Sequence, residues 1–155
     1  MKKNIYKRII DQVFNDHSKV IKETQITVDK KIELASTIIA KSLQSKGTIF
    51  WCGNGGSAAD SQHMAAEFVG RFKKDRKPLR SIALTTDTSI LTCISNDYSY
   101  EEIFSRQLVA LGHKNDVLVV ITTSGNSKNI VKVLIEAGKM GIKTVGLLGK
   151  NGGIC

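Results

Sequence analysis

One proline, Pro78, stands in a chain of 155 residues. It lies in the basic stretch Lys73–Arg80, between two ordered elements, and marks that stretch as a loop. The three cysteines, Cys52, Cys93 and Cys155, are odd in number and far apart. They exclude a disulfide framework and a Cys-x-x-Cys metal pair, and reduced thiols in a cytoplasmic protein are the expectation. Aromatic residues make up only 6%, and no stacking motif, zinc-finger spacing or helix-turn-helix accompanies them. The net charge of +9 is accordingly read as a property of the surface or as affinity for small anions, and nucleic acid is not expected as a partner. No apolar run approaches the roughly 20 residues of a membrane span. The basic start Met1–Arg8 has no apolar block behind it, so it does not read as a secretory signal. No GxxxxGK[ST] is present, which leaves P-loop nucleotide chemistry unsupported.

What remains is an ordinary globular composition, 41% hydrophobic and 24% charged, in one domain large enough for a sizeable core. Apolar residues at helical spacing predict a first helix over Ile5–Ile21 and a second over Val28–Leu43. Ser45-Lys46-Gly47 ends the second, with Gly47 expected at the left-handed position after it. These two helices, within residues 1–46, precede a βαβ core over 47–155. From Thr48 the pattern alternates. Strands are expected at Thr48–Trp51, Ser81–Thr85, Asp116–Ile121 and Thr144–Leu148. Helices are expected after Gly56, over Ser89–Ile94 behind a Thr86-Asp87-Thr88 cap, over Glu101–Leu111 and over Ser127–Met140. Asn96-Asp97 reads as a loop, and the basic stretch Lys73–Arg80 as a solvated one. Apolar strands separated by helices give an α/β fold, a doubly wound parallel sheet with helices on both faces.

Two turns carry the chemistry. The first, Gly53-Asn54-Gly55-Gly56-Ser57, leaves a strand and opens an Ala-rich helix, which places bare N–H groups and a helix N-terminus at one point. It also fits the minimal dinucleotide pattern GxGxxA. That pattern wants an acidic residue about 20 residues on, where this chain has Lys73-Lys74-Asp75-Arg76, so nicotinamide is not expected. The second turn, Thr122-Thr123-Ser124-Gly125-Asn126-Ser127, holds four hydroxyls in six residues. One N-cap needs one hydroxyl; four suit a phosphate dianion. His63 and Glu67 stand four apart on one helix face. They read equally as a surface ion pair, as two ligands for a divalent metal, or with Glu67 as a general base.

These residues, together with Ser95-Asn96-Asp97-Tyr98 and Phe104-Ser105-Arg106-Gln107, resemble the phosphoheptose isomerases of the sugar isomerase (SIS) fold along essentially the whole chain. The resemblance implies a cytoplasmic homotetramer that converts sedoheptulose 7-phosphate to D-glycero-D-manno-heptose 7-phosphate for lipopolysaccharide or capsule. It implies sugar contacts from Asn54, Gly55, Gly56, Asn96 and Asp97, with Ser57 a lesser member of the same pocket. Phosphate contacts would come from Thr122, Thr123, Ser124 and Ser127, and zinc ligands from His63 and Glu67, Glu67 also contacting substrate and moving the proton. Thr122 stands where relatives commonly carry Ser and keeps the hydroxyl. The resemblance also implies a further strand and a long helix whose Gln and His complete the zinc site, and this sequence ends before both. The rival expectation is a non-catalytic SIS protein of the replication-initiator-associating type, which needs no proton-transfer pair.

Overall fold

The computed structural model describes residues 2–155, with side chains from Asn4 onward. The chain divides after Thr37 into two units, and the described residues of the first are all helix. Helix α1 runs unbroken over Lys2–Gln44, which corrects the expectation of two helices. Residues 22–27 between the two apolar stripes, Lys-Glu-Thr-Gln-Ile-Thr, contain neither Gly nor Pro. The helix therefore meets no stop there, and an exposed Lys19–Glu23 pair and a bond from Thr27 Oγ1 to the Glu23 carbonyl, 2.7 Å, lie along that stretch. In the first unit Ile5, Ile9, Val13, Phe14 and Ile21 are exposed.

The second unit, Ile38–Cys155, begins with the last turns of α1. That helix closes with the Gly47 N–H donating to the Ser42 carbonyl and the Lys46 N–H to that of Leu43, the paired bonds of a Schellman end. The left-handed residue is Lys46, at φ +63°, and not Gly47 as expected. Gly47 is glycine for a different reason: a Cβ there would collide with the Asn115 carbonyl and the Ser42 hydroxyl.

Four strands follow, β1 (Ile49–Gly53), β2 (Ser81–Ala83), β3 (Val117–Thr122) and β4 (Lys143–Leu148). All pairings are parallel and the order is β2-β1-β3-β4. Alternation along β1 and β3 feeds two cores. Phe50, Cys52, Leu118 and Val120 pack with Ile94, Phe104, Leu108, Ile130 and Val133 on one face. Ile49, Trp51, Val117 and Val119 pack with Ile38, Leu43, Ala65 and Phe68 on the other. Each such buried side chain contributes about 1.5–3 kcal/mol, so the two central strands are the most firmly held part of the chain. β4 lies at the sheet edge and, apolar as it is, is mostly exposed.

The helices of this unit are α2 (Gly56–Val69), α3 (Thr88–Asp97), α4 (Ser105–Leu111) and α5 (Lys128–Met140). Asp87 caps α3 as expected, its side chain accepting from the Ile90 N–H at 2.9 Å. Asn96 and Asp97 are the last residues of α3 and not a loop. The expected helix over Glu101–Leu111 is split into a 3₁₀ turn, Tyr100–Glu102, and α4. The stretch Lys73–Arg80 is more than a solvated loop. The Arg76 guanidinium donates to the carbonyls of Glu67 and Phe68 at 2.7 and 2.8 Å, satisfying the acceptors that α2 leaves open at its C-terminus. Arg80 Nε donates to Thr48 Oγ1 at 3.0 Å.

Candidate active site

In a sheet of this order the chain leaves β1 toward β2 on one face and leaves β3 toward β4 on the other. The carboxyl ends of β1 and β3 thus form the switch point at which open α/β sheets bind ligands. The strands are paired in register up to Gly53 opposite Ile121. The two turns singled out in the sequence therefore emerge side by side, Asn54–Ser57 from β1 and Thr123–Ser127 from β3. Each opens a helix of more than three turns, α2 and α5, whose positive ends favour an anion between them.

The first turn needs its glycines. Ser57 N–H donates to the Asn54 carbonyl at 3.0 Å, closing a tight turn with Gly55 at φ +56°, ψ −122°, a conformation costly for any residue with a Cβ. A Cβ on Gly53 would lie 2.6 Å from the Ser57 carbonyl oxygen. Gly55 and Gly56 are both exposed, with open space where a side chain would be. In the second turn Ser127 is the N-cap of α5, yet its hydroxyl makes no capping bond. Thr122 Oγ1 accepts from the Gly125 N–H and Ser124 Oγ from the Asn126 N–H, so each keeps its own O–H proton to donate. Thr123 is exposed. Thr123, Ser124 and Ser127 are accessible as donors, while Thr122 is buried.

A pair of amides joins the two turns. Asn54 Nδ2 donates to Asn129 Oδ1 at 2.9 Å, and Asn129 Nδ2 donates back to Asn54 Oδ1 at 2.8 Å. The Tyr100 hydroxyl donates to the same Asn54 oxygen at 3.0 Å. Sequence reasoning missed both Asn129 and Tyr100, because a contact across 75 positions leaves no local pattern. Asn96 and Asp97 bond only near themselves. Asn96 Nδ2 donates to Asp97 Oδ1 at 2.8 Å and the Cys93 thiol to Asp97 Oδ2 at 3.4 Å. Those two bonds hold the Asp97 carboxyl below its ordinary range, and the same carboxylate raises the Cys93 thiol. Burial alone raises the Cys52 thiol so far that it stays protonated.

His63 and Glu67 do meet, Nε2 to Oε1 at 3.6 Å, with His63 open to solvent and Glu67 mostly covered. They border a cavity of about 380 Å³ walled by Met64, Phe68, Phe72 and Leu79. Neighbouring corners of a tetrahedral zinc site are about 3.3–3.5 Å apart, so the pair, at 3.6 Å, stands just outside the spacing of two ligands. Among the described residues no third His, Cys, Asp or Glu joins them, and two donors do not make a complete site. The pair is also set back from the turns. His63 lies seven positions along α2 from Gly56, a rise of about 10 Å, and no hydrogen bond among the described residues links the pair to either turn.

The SIS domain signature matches residues 12–149. A phosphoheptose isomerase of Helicobacter pylori is 47% identical over 145 residues, which is 94% of this chain and 76% of the relative. The chain belongs to the phosphoheptose isomerases of the SIS domain family. The corresponding protein of a Nitratiruptor species is 49% identical over 93% of this chain and 77% of its own length. Two solved phosphoheptose isomerases share the fold. That of Neisseria gonorrhoeae superposes with a TM-score of 0.89 at 38% identity, and that of Francisella tularensis with 0.91 at 34%. Each match covers 96% of this chain and 78% of the other.

Proposed function

We propose that this chain isomerises sedoheptulose 7-phosphate to D-glycero-D-manno-heptose 7-phosphate. The observation that carries the reading is the hydroxyl turn Thr122–Ser127 at the N-terminus of α5, beside the glycine turn of β1, in a chain 47% identical to a phosphoheptose isomerase. The phosphate would be held by Thr122, Thr123, Ser124 and Ser127 and by the first N–H groups of α5. The sugar would lie toward Asn54–Gly56, with Asn96 and Asp97 on the same side. Aldose–ketose exchange needs a base that takes a proton from the carbon next to the carbonyl and returns it to the former carbonyl carbon through an enediolate. Glu67 is the group assigned to that transfer. His63 and Glu67 would hold two corners of a zinc ion, which when bound supplies Lewis-acid polarisation of the carbonyl oxygen.

The reading extends to self-association into a homotetramer. One observation supports it: the exposed apolar residues of α1. Light scattering that returns a monomer mass at micromolar concentration would remove this part. Three free cysteines and the absence of a helix long and apolar enough to cross a membrane among the described residues accord with cytoplasmic synthesis of heptose for a surface polysaccharide. Fractionation of the producing cell tests that placement. No observation favours the non-catalytic alternative.

The decisive assay is conversion of sedoheptulose 7-phosphate, with and without added zinc. Glu67→Gln is expected to lower turnover by about 10²-fold or more with binding largely kept. Ser127→Ala is expected to raise KM more than it lowers kcat. An inactive wild-type chain under both metal conditions would overturn the assignment.

A further inference from the structure

We infer that Asn129 and Tyr100 are positioning residues that lock the sugar-side turn to the phosphate-side turn through the side chain of Asn54. The inference rests on the functional reading above. Asn54 is the node. Its Oδ1 has two lone pairs, and both are occupied, one by Asn129 Nδ2 at 2.8 Å and one by the Tyr100 hydroxyl at 3.0 Å. Its Nδ2 has two hydrogens, and one is given to Asn129 Oδ1 at 2.9 Å. Of four hydrogen-bonding positions a single N–H is left for a ligand. The side chain that the family resemblance assigns to substrate is thus mainly a strut.

The partners come from two different elements. Asn129 is the second residue of α5 and only 2% exposed, so its amide has no access to water in place of Asn54. Tyr100 opens the 3₁₀ turn, and that turn is itself pinned to α5. Glu101 pairs with Lys128 at 3.0 Å and Glu102 with Lys132. The β1 turn, the 3₁₀ turn and the start of α5 therefore form a closed triangle with Asn54 at one corner. A phosphosugar gripped at the α5 end meets a sugar-side turn whose distance from that end is fixed before binding. Such preorganisation matters because misplacement of about 1 Å can reduce rate on the order of 10²-fold.

The test compares Tyr100→Phe, Asn129→Ala and the double variant. Tyr100→Phe removes one hydroxyl from an exposed side chain and leaves the fold intact. It is expected to lower kcat/KM for sedoheptulose 7-phosphate by about 3- to 10-fold, the scale of one hydrogen bond, and Asn129→Ala by on the order of 10- to 100-fold. The double variant is expected to lose less than the product of the two, because both act through Asn54. Hydrogen exchange, which needs no substrate, is expected to quicken in both turns, 54–57 and 123–127, in Tyr100→Phe. An active wild type whose variants keep its kinetics, or whose losses multiply, would overturn the lock while leaving the isomerase reading in place. An inactive wild type would overturn the isomerase reading and leave the lock to the exchange experiment. There, quickening in both turns supports it, and unchanged exchange in either turn refutes it.

Discussion

Replacing Gly55 by alanine separates backbone geometry from packing at the sugar-side turn. Gly55 sits at φ +56°, ψ −122°, and a Cβ built there meets nothing within 4 Å. The cost of the substitution is therefore torsional alone, about 1–3 kcal/mol for an L residue held in such a region. For a chain of this size each kcal/mol moves the melting temperature by about 2–4 °C, so Gly55→Ala should melt about 2–12 °C lower. The neighbour supplies the control. Gly56 is the first residue of α2, is absent from the positive-φ glycines and also has open space around a built Cβ. Alanine there gains helix propensity and loses unfolded-state entropy, together up to about 1 kcal/mol. Differential scanning calorimetry should place Gly55→Ala below wild type and Gly56→Ala level with it or above. If the turn deforms as argued, KM for the phosphosugar also rises in Gly55→Ala. Equal melting temperatures for the two variants would refute the torsional argument.

Ser81→Ala should destabilise by about 1–3 kcal/mol: Trp51 Nε1–H, buried in the second core, donates to Ser81 Oγ at 2.8 Å and would lose its partner, read as a lower urea midpoint with unchanged m. The Glu102–Lys132 pair should give an acid limb to stability. Lys132 is the main cause that holds the Glu102 carboxyl below its ordinary 4.5, so its contribution is present above that value and is lost as pH falls through the depressed one. Glu102 in turn raises Lys132 above 10.5, so the alkaline loss comes as pH rises through the raised value. Lys132→Met should flatten both limbs in melts recorded from about pH 3 to about pH 11, and an unchanged profile would dismiss the pair.

The parts of the fold that were legible in the sequence are those set by a single local cause. Val117–Ile121 is apolar without interruption because both of its faces are covered, and that pattern belongs to a central parallel strand. Asp87 stands three residues before the N–H it caps, a spacing visible in one dimension. The two turns were legible because glycine and hydroxyl residues gather where a strand gives way to a helix. The errors have a common origin in causes that act at a distance or by default. Nothing in residues 22–27 stops a helix, and the lack of a stop is a weaker signal than a stop. Gly47 was read as a glycine for φ, whereas its hydrogen is required by the carbonyl of Asn115, a residue far along the chain. Arg76 and Arg80 were read as solvated because their acceptors, the end of α2 and Thr48, are fixed only by the tertiary fold.

The candidate site shows the same division. His63 and Glu67 follow the glycine turn closely in sequence. On an α-helix, however, each residue adds about 1.5 Å, and that rise sets His63 about 10 Å and Glu67 about 16 Å along the axis from Gly56. Side chains lean toward the N-terminus of their helix, which shortens the gap without closing it. Asn54 and Asn129, by contrast, are 75 positions apart and bond twice, because β1 and β3 are neighbours paired in register as far as Gly53 and Ile121. Strand order, and not spacing in the chain, decides which groups share a ligand. By that rule the proposed phosphosugar would be gripped between β1 and β3 by Ser124 and Ser127, and Glu67, if it moves the proton, would meet it from the far side. Substitutions at the two places should consequently divide between the kinetic constants, Ser127→Ala acting on KM and Glu67→Gln on kcat. A loss of the same kind at both would mean that the rise of α2 does not separate them.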